Sequence, residues 1–122
     1  MKHSPGFLRL CEDALTRVRE IQPDALLARI AEGTPVVLVD VREDREWEAG
    51  HIPGAVHVGR GVLERDAEAL WPDPSTMIVL YCGGGYRSAL AADAMQRLGF
   101  TEVVSLAGGV RTWQAAGLSW ST

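Results

Sequence analysis

Lysine is almost missing from this 122-residue chain: Lys2 is the only one, and arginines supply the rest of the basic charge. No basic stretch develops. A net charge of -4 and a pI near 5.3 leave no electrostatic footprint for a nucleic-acid backbone, so nucleic acid is not an expected partner. Cysteine is scarce too. Cys11 and Cys82 are the only two and lie on distant segments, too few for a disulfide framework or for the paired ligand spacing of a zinc site. Apolar runs are short, none near the roughly 20 residues that cross a bilayer, so no membrane association is expected. After Met1-Lys2-His3, the charges of Arg9, Glu12 and Asp13 interrupt the chain before a signal-peptide core develops, and a reducing cytoplasm is the expected compartment. There is no repeat, low-complexity tract or linker.

What is present is enough apolar residue, 47%, for one compact domain with a real core, and one unusual stretch. In Val79-Leu80-Tyr81-Cys82-Gly83-Gly84-Gly85-Tyr86-Arg87-Ser88-Ala89-Leu90, a β-type run meets a cysteine, three glycines, an arginine and then a helical pattern. This reads as strand, anion-cradling loop and helix. Gly83 to Gly85 let the backbone turn tightly around Cys82 and aim N–H groups at its sulfur. Ser88 is placed to cap the helix, and the helix's positive end favours a thiolate, the nucleophilic form of cysteine. A buried structural thiol is the simpler reading of a lone cysteine, but it does not account for three glycines that sacrifice packing for conformational freedom.

Along the chain, Ser4-Pro5 opens an amphipathic helix carrying Phe7, Leu8, Cys11, Leu15 and Val18 at helical spacing, with Cys11 in the apolar stripe as a small core residue. That stripe docks on the domain or meets a partner. Val18 to Ile21 ends this helix or forms a short strand. Pro23 to Ile30 is a second helix, and Val36-Val37-Leu38-Val39 is a strand buried on both faces that stops at Asp40-Val41-Arg42. Asp44 to Ala49 forms one or two helical turns, His51-Ile52-Pro53-Gly54 a tight turn, and Ala55 to Val58 another strand. Gly59 to Leu70 reads as a loop and short helix. Met77 to Tyr81 is the strand that delivers Cys82, followed by a helix using Ala89, Leu90, Ala92, Met95 and Leu98 and stopped by Gly99. Val103 to Leu106 is the last strand, Gly108-Gly109 turns into a helix over Val110 to Ala116, and Leu118 to Thr122 is a tail. Strands alternating with helices predict an α/β domain with a mainly parallel sheet.

In such sheets ligands bind beyond the carboxyl ends of the strands, which places Asp40, Cys82 and Ala107-Gly108-Gly109 on one rim. Leu38 to Arg42, Glu46 to Ala55 with its Gly50-His51-Ile52-Pro53-Gly54 turn, Cys82 to Ser88, and Gly108 to Trp113 with Ala116-Gly117 together resemble the rhodanese family, and its single-domain sulfurtransferases in particular. The resemblance covers about residues 18 to 118, and four motifs in the right order make it specific. It implies a five-stranded, mainly parallel sheet flanked by helices over residues 18–122, with an extra amino-terminal helix over 1–17 and Val18 to Ile21 as the first strand. It further implies that Cys82 takes a sulfane sulfur from a donor such as thiosulfate, holds it as a persulfide and passes it to cyanide or a thiol, without metal or organic cofactor. Gly83, Gly84, Gly85, Tyr86, Arg87 and Ser88 then form the anion cradle and substrate site. Within it, Arg87 holds the loop or attracts the donor, and Tyr86 shapes the mouth. Asp40 and Arg42 serve as scaffold, with Asp40 accepting hydrogen bonds near the loop. His51 and His57 are packing or hydrogen-bonding groups rather than bases, and Trp113 is core.

Two other functions compete. Phosphatase or arsenate-reductase chemistry uses a cysteine, a backbone cradle and an arginine, but the stretch from Cys82 to Arg87 has the length that the resemblance links to sulfur transfer; phosphatase-like members carry one residue more. A non-catalytic binding module often lacks the cysteine that this chain keeps. Because the loop contributes only Arg87 as a positive charge in an acidic chain, weak attraction for thiosulfate is expected, leaving a protein or low-molecular-weight persulfide as the alternative donor. The amino-terminal stripe is the place for a dimer or partner contact, with a monomer or weak homodimer expected and Cys11 as a candidate resolving thiol.

Overall fold

The computed structural model describes residues 2–122. Eleven elements follow one another: α1 (Pro5–Leu15), β1 (Arg19–Ile21), α2 (Pro23–Ala31), β2 (Val37–Asp40), α3 (Asp44–Ala49), β3 (Val56–His57), α4 (Arg60–Leu70), β4 (Ile78–Tyr81), α5 (Tyr86–Leu98), β5 (Val103–Leu106) and α6 (Gly109–Ala115). The strands form one sheet in the order β1-β5-β4-β2-β3, with every neighbouring pair parallel. This is the five-stranded α/β sheet flanked by helices expected from the sequence.

Helices cover both faces, so the central strands are apolar throughout and split their side chains by the two-residue period. Ile78 and Leu80 of β4 point into one core with Val39, Leu63, Met95 and Phe100, whereas Val79 and Tyr81 point into the other with Leu26, Leu38, Leu106 and Trp113. The helix at the amino terminus is docked: Cys11 and Ala14 are buried, and Arg17 just beyond α1 clasps Asp93 of α5 through Nε and Nη2 at 2.9 and 2.8 Å. Burial pushes the Cys11 thiol pKa up, and its Sγ lies 3.8 Å from the Tyr86 carbonyl.

Three local expectations change. Where a loop with a short helix was expected over Gly59 to Leu70, Arg60–Leu70 is a three-turn helix, α4; only Leu63 and Ala67 are buried on it, too narrow a stripe for the pattern to stand out. The last residues are not a loose tail. Ser121 and His51 exchange backbone hydrogen bonds of 2.8 and 2.9 Å, and Leu118 and Trp120 pack on the second core. Finally, Ser88 is not a cap. Gly85, at φ +93°, ends the loop in the left-handed region, so α5 begins at Tyr86 and Ser88 falls within its first turn.

Candidate active site

The central strand β4 delivers Cys82 to the carboxyl rim of the sheet, and the chain then turns through Gly83 to Gly85 into α5. Cys82 is buried, and three groups converge on its Sγ: the N–H of Gly85 at 3.2 Å, the N–H of Ser88 at 3.3 Å and the Ser88 hydroxyl at 3.4 Å. Two of the cradle N–H groups expected over Gly83 to Ser88 therefore reach the sulfur. The Ser88 hydroxyl is itself held at 2.8 Å by that of Ser105, fully buried on β5. Backbone dipoles and a hydroxyl aimed at one sulfur favour negative charge there.

A second glycine pair fixes this loop from behind. The N–H groups of Val110 and Arg111 donate to the carbonyls of Cys82 and Gly83, both at 2.9 Å. Such close approach of two backbones requires Gly109, at φ +54°, where any Cβ would overlap the Cys82 carbonyl oxygen.

Arg87 is paired with Glu46 of α3, through contacts of 2.8 and 3.0 Å. Arg87 also lines the cleft above Cys82, so the geometry is compatible with both roles anticipated for it, bracing the loop and attracting the donor. The Arg87 hydrogen bonds hold the Glu46 carboxyl at about 2, well below its ordinary range, and Glu46 also accepts the Glu43 N–H at 2.9 Å. Asp40 and Arg42 form a buried pair: the guanidinium donates at 2.8 to 3.1 Å to Asp40 and at 2.7 Å to the Gly50 carbonyl. Asp40 thus accepts from Arg42 rather than from the Cys82 loop, and it ties β2 to the turn after α3. The Tyr81 hydroxyl accepts the Ile52 N–H at 3.1 Å, and burial pushes its pKa up.

His51 and His57 stand apart. His51 stacks on Trp47 at 3.6 Å between centroids, and His57 lies parallel to the same indole at 5.0 Å with Nε2 2.8 Å from the Arg42 carbonyl; neither lines the cleft above Cys82. Trp113 is buried and donates to the Ser119 carbonyl at 2.8 Å.

Sequence reasoning missed most of the cleft's walls. A cavity of about 920 Å³ opens above Cys82, Gly83 and Gly84, and its lining includes Lys2, Arg45, Arg60 and Arg111. Arg42 and Arg87 are paired with carboxylates; among the described residues, the other four cations make no ion pair and face only Glu43 as an unpaired acid. The mouth is therefore positive although the chain is acidic: the loop itself supplies only Arg87, as expected, and the further cations come from outside it. Tyr86 does line the mouth, joined there by His3 and Phe7.

The fold and site define an α/β domain with a five-stranded parallel sheet that presents one thiol in a backbone cradle at the end of its central strand. The chain belongs to the rhodanese-like domain family, whose model matches residues 22–116. It is 34% identical over 96 residues to the putative sulfur carrier protein YrkF of Bacillus subtilis, covering 79% of this chain and 51% of that one. It is also 34% identical over 101 residues to the thiosulfate sulfurtransferase GlpE of Pseudomonas entomophila, covering 83% of this chain and 89% of that one. A solved structure from Rhodopseudomonas palustris, of unknown function and described as a possible tyrosine phosphatase, superposes with a TM-score of 0.79 at 32% identity, covering 98% of this chain and 96% of that one. The chain spans between 24% and 51% of the length of several curated relatives. No helix among the described residues is long and apolar enough to cross a membrane.

Proposed function

We propose that this protein is a sulfurtransferase that carries a sulfane sulfur on Cys82. The observation behind the proposal is the pair of N–H donors, joined by a hydroxyl, on one buried sulfur. With thiosulfate, the Cys82 thiolate attacks the outer sulfur, the sulfur–sulfur bond breaks, and sulfite leaves with the electron pair. Cys82 then carries the transferred sulfur as a persulfide. An acceptor thiolate or cyanide attacks that outer sulfur, and the Cys82 thiolate departs. The Gly85 and Ser88 N–H groups face Sγ, where charge sits on the attacking thiolate and returns as Cys82 departs in the second step, and such preorganised dipoles lower the barrier to that departure. Relatives named as sulfurtransferases and as a sulfur carrier support the reading.

Intact mass after thiosulfate and then after cyanide tests it. The expected record is one added sulfur that cyanide removes and that Cys82→Ala never acquires; no adduct from thiosulfate or from any persulfide would refute the proposal. A phosphatase reading is favoured by the description of the Rhodopseudomonas neighbour. Against it, Arg87, the cation such chemistry places on the oxyanion, is committed to Glu46. Saturable hydrolysis of an aryl phosphate, abolished by Cys82→Ser, would reverse that judgement.

A further inference from the structure

Strand β5 carries one polar side chain, Ser105, among Val103, Val104 and Leu106, and all four residues are buried. Val104 and Leu106 belong to one core, whereas Val103 belongs to the other, with Leu80 and Cys82. By the two-residue period Ser105 shares the Val103 side, in register with Leu80 of β4. A hydroxyl buried there costs stability unless it is hydrogen-bonded. Its one partner among the described residues is the Ser88 hydroxyl at 2.8 Å, and Ser88 Oγ in turn lies 3.4 Å from the Cys82 sulfur. Alanine would occupy this place in the sheet with no such requirement, so the packing of β5 does not account for a serine.

Counting protons gives this pair of hydroxyls a direction. Ser105 Oγ, Ser88 Oγ and Cys82 Sγ are joined by two contacts, and the two hydroxyls supply one proton for each. If Ser88 turned its proton to Ser105, the Ser105 proton would have no acceptor among the described residues, at a residue with no exposure. With Ser105 donating to Ser88 and Ser88 donating to the sulfur, both protons are used. A thiolate completes that arrangement, whereas a thiol adds a third proton that neither contact can hold. Each hydrogen bond in such a chain also polarises the next, and the low-dielectric interior strengthens both. We propose that Ser105 is a positioning residue for Cys82: from the neighbouring strand it donates to the Ser88 hydroxyl, holds that hydroxyl's proton on the sulfur and so favours the thiolate without touching it. This rests on the reading of Cys82 as the sulfur carrier and adds to it a residue outside the loop from Cys82 to Ser88.

The test is the rate of Cys82 alkylation by iodoacetamide as a function of pH, with the modified site read by peptide mass. It compares wild type with Ser105→Ala, Ser105→Thr, Ser88→Ala and the double variant Ser88→Ala/Ser105→Ala. The charged and titratable groups around the sulfur are the same in all five proteins: Arg87 with Glu46, Arg42 with Asp40, the four unpaired cations with Glu43 and Tyr86 at the mouth, and the Cys11 thiol of α1. Alanine removes a single oxygen from β5, and its profile is expected to have a midpoint about half a pH unit higher, which is about a threefold fall in thiolate below that midpoint. Ser105→Thr keeps the hydroxyl and should return most of the shift. In the Ser88→Ala background Ser105→Ala should move the midpoint no further, because the link to the sulfur is already broken. A midpoint unmoved by Ser105→Ala, an equal shift with and without the Ser88 hydroxyl, or a threonine profile like that of alanine overturns the inference. Sulfur loading, read separately by intact mass, keeps the two readings apart. Wild-type loading with an unmoved midpoint removes only the role of Ser105, whereas a moved midpoint with no loading from thiosulfate or any persulfide removes the sulfurtransferase reading and leaves Ser105 setting the reactivity of the thiol.

Discussion

Glu46→Gln removes the charge from the pair that braces the Cys82 loop while keeping its shape. The amide oxygen can still accept from the Glu43 N–H, so the start of α3 is preserved and the difference from wild type isolates the ionic contact with Arg87. Moving the carboxyl from an ordinary 4.5 to about 2 sets a ceiling of about 3.4 kcal/mol on its contribution. Both side chains are about a third exposed, at 33% and 30%, so solvent screening reduces the expected loss to about 1–2 kcal/mol. The sign in pH follows from the direction: a carboxyl depressed on folding stabilises fully above its unfolded value near 4.5, and loses that contribution as pH falls toward 2. Urea unfolding of both proteins from about pH 7 to about pH 3 measures this, because the other carboxylates are common to both and cancel in the difference. A gap of about 1–2 kcal/mol at neutral pH that shrinks as pH drops below about 4.5 is expected. No gap at neutral pH, or one that stays constant to about pH 3, would refute the claim that an ion pair holds the loop.

Three further substitutions probe the cradle and its supports. Ser88→Ala deletes the side-chain hydroxyl that lies 3.4 Å from the Cys82 sulfur, and should slow alkylation of Cys82 at neutral pH about tenfold, as loss of a charge-assisted hydrogen bond of about 1.5 kcal/mol to the attacking thiolate implies; an unchanged rate means the hydroxyl does not serve the sulfur. Gly109→Ala adds a methyl where the Cys82 carbonyl already sits, at a positive φ, and should cost about 3 kcal/mol or more; a melting temperature within a degree or two of wild type would contradict the close approach of the two loops. Asp40→Ala leaves the Arg42 guanidinium, 7% exposed, without its counter-charge, and should destabilise by about 3–5 kcal/mol in urea; a loss under about 1 kcal/mol would show that the pair is not carrying the turn.

The parts of this site that the sequence made legible are those whose cause is local. Cys82 followed by glycines after a β-branched run identifies itself, because strand, turn and helix are each written within a few residues. The sheet is legible for the same reason: each strand is a short apolar run between breakers. Ser88 shows how a local rule misleads. Serine is a good helix cap, but here Gly85 in the left-handed region takes that position, and moving Ser88 one turn inward lets both its N–H and its hydroxyl face the sulfur. The Glu46 contact was out of reach because its partner lies 41 residues away, and only the fold brings the α3 carboxylate to the first turn of α5.

The positive mouth was hidden for a different reason. A net charge of -4 sums every ionic group on the surface, whereas the field at a cleft depends on which charges there lack a partner. Ion pairs such as Asp66–Arg65 and Asp40–Arg42 remove one cation with each anion and leave the net charge of -4 untouched; the mouth is positive because Lys2, Arg45, Arg60 and Arg111 line it without a carboxylate partner among the described residues, and only Glu43 faces them as an unpaired acid. Arg45, Arg60 and Arg111 come from three different helices, and nothing in their sequence spacing marks them as neighbours. An anionic donor approaching Cys82 meets those arginines before it meets the chain's average, and an acidic protein can therefore present a site suited to anions.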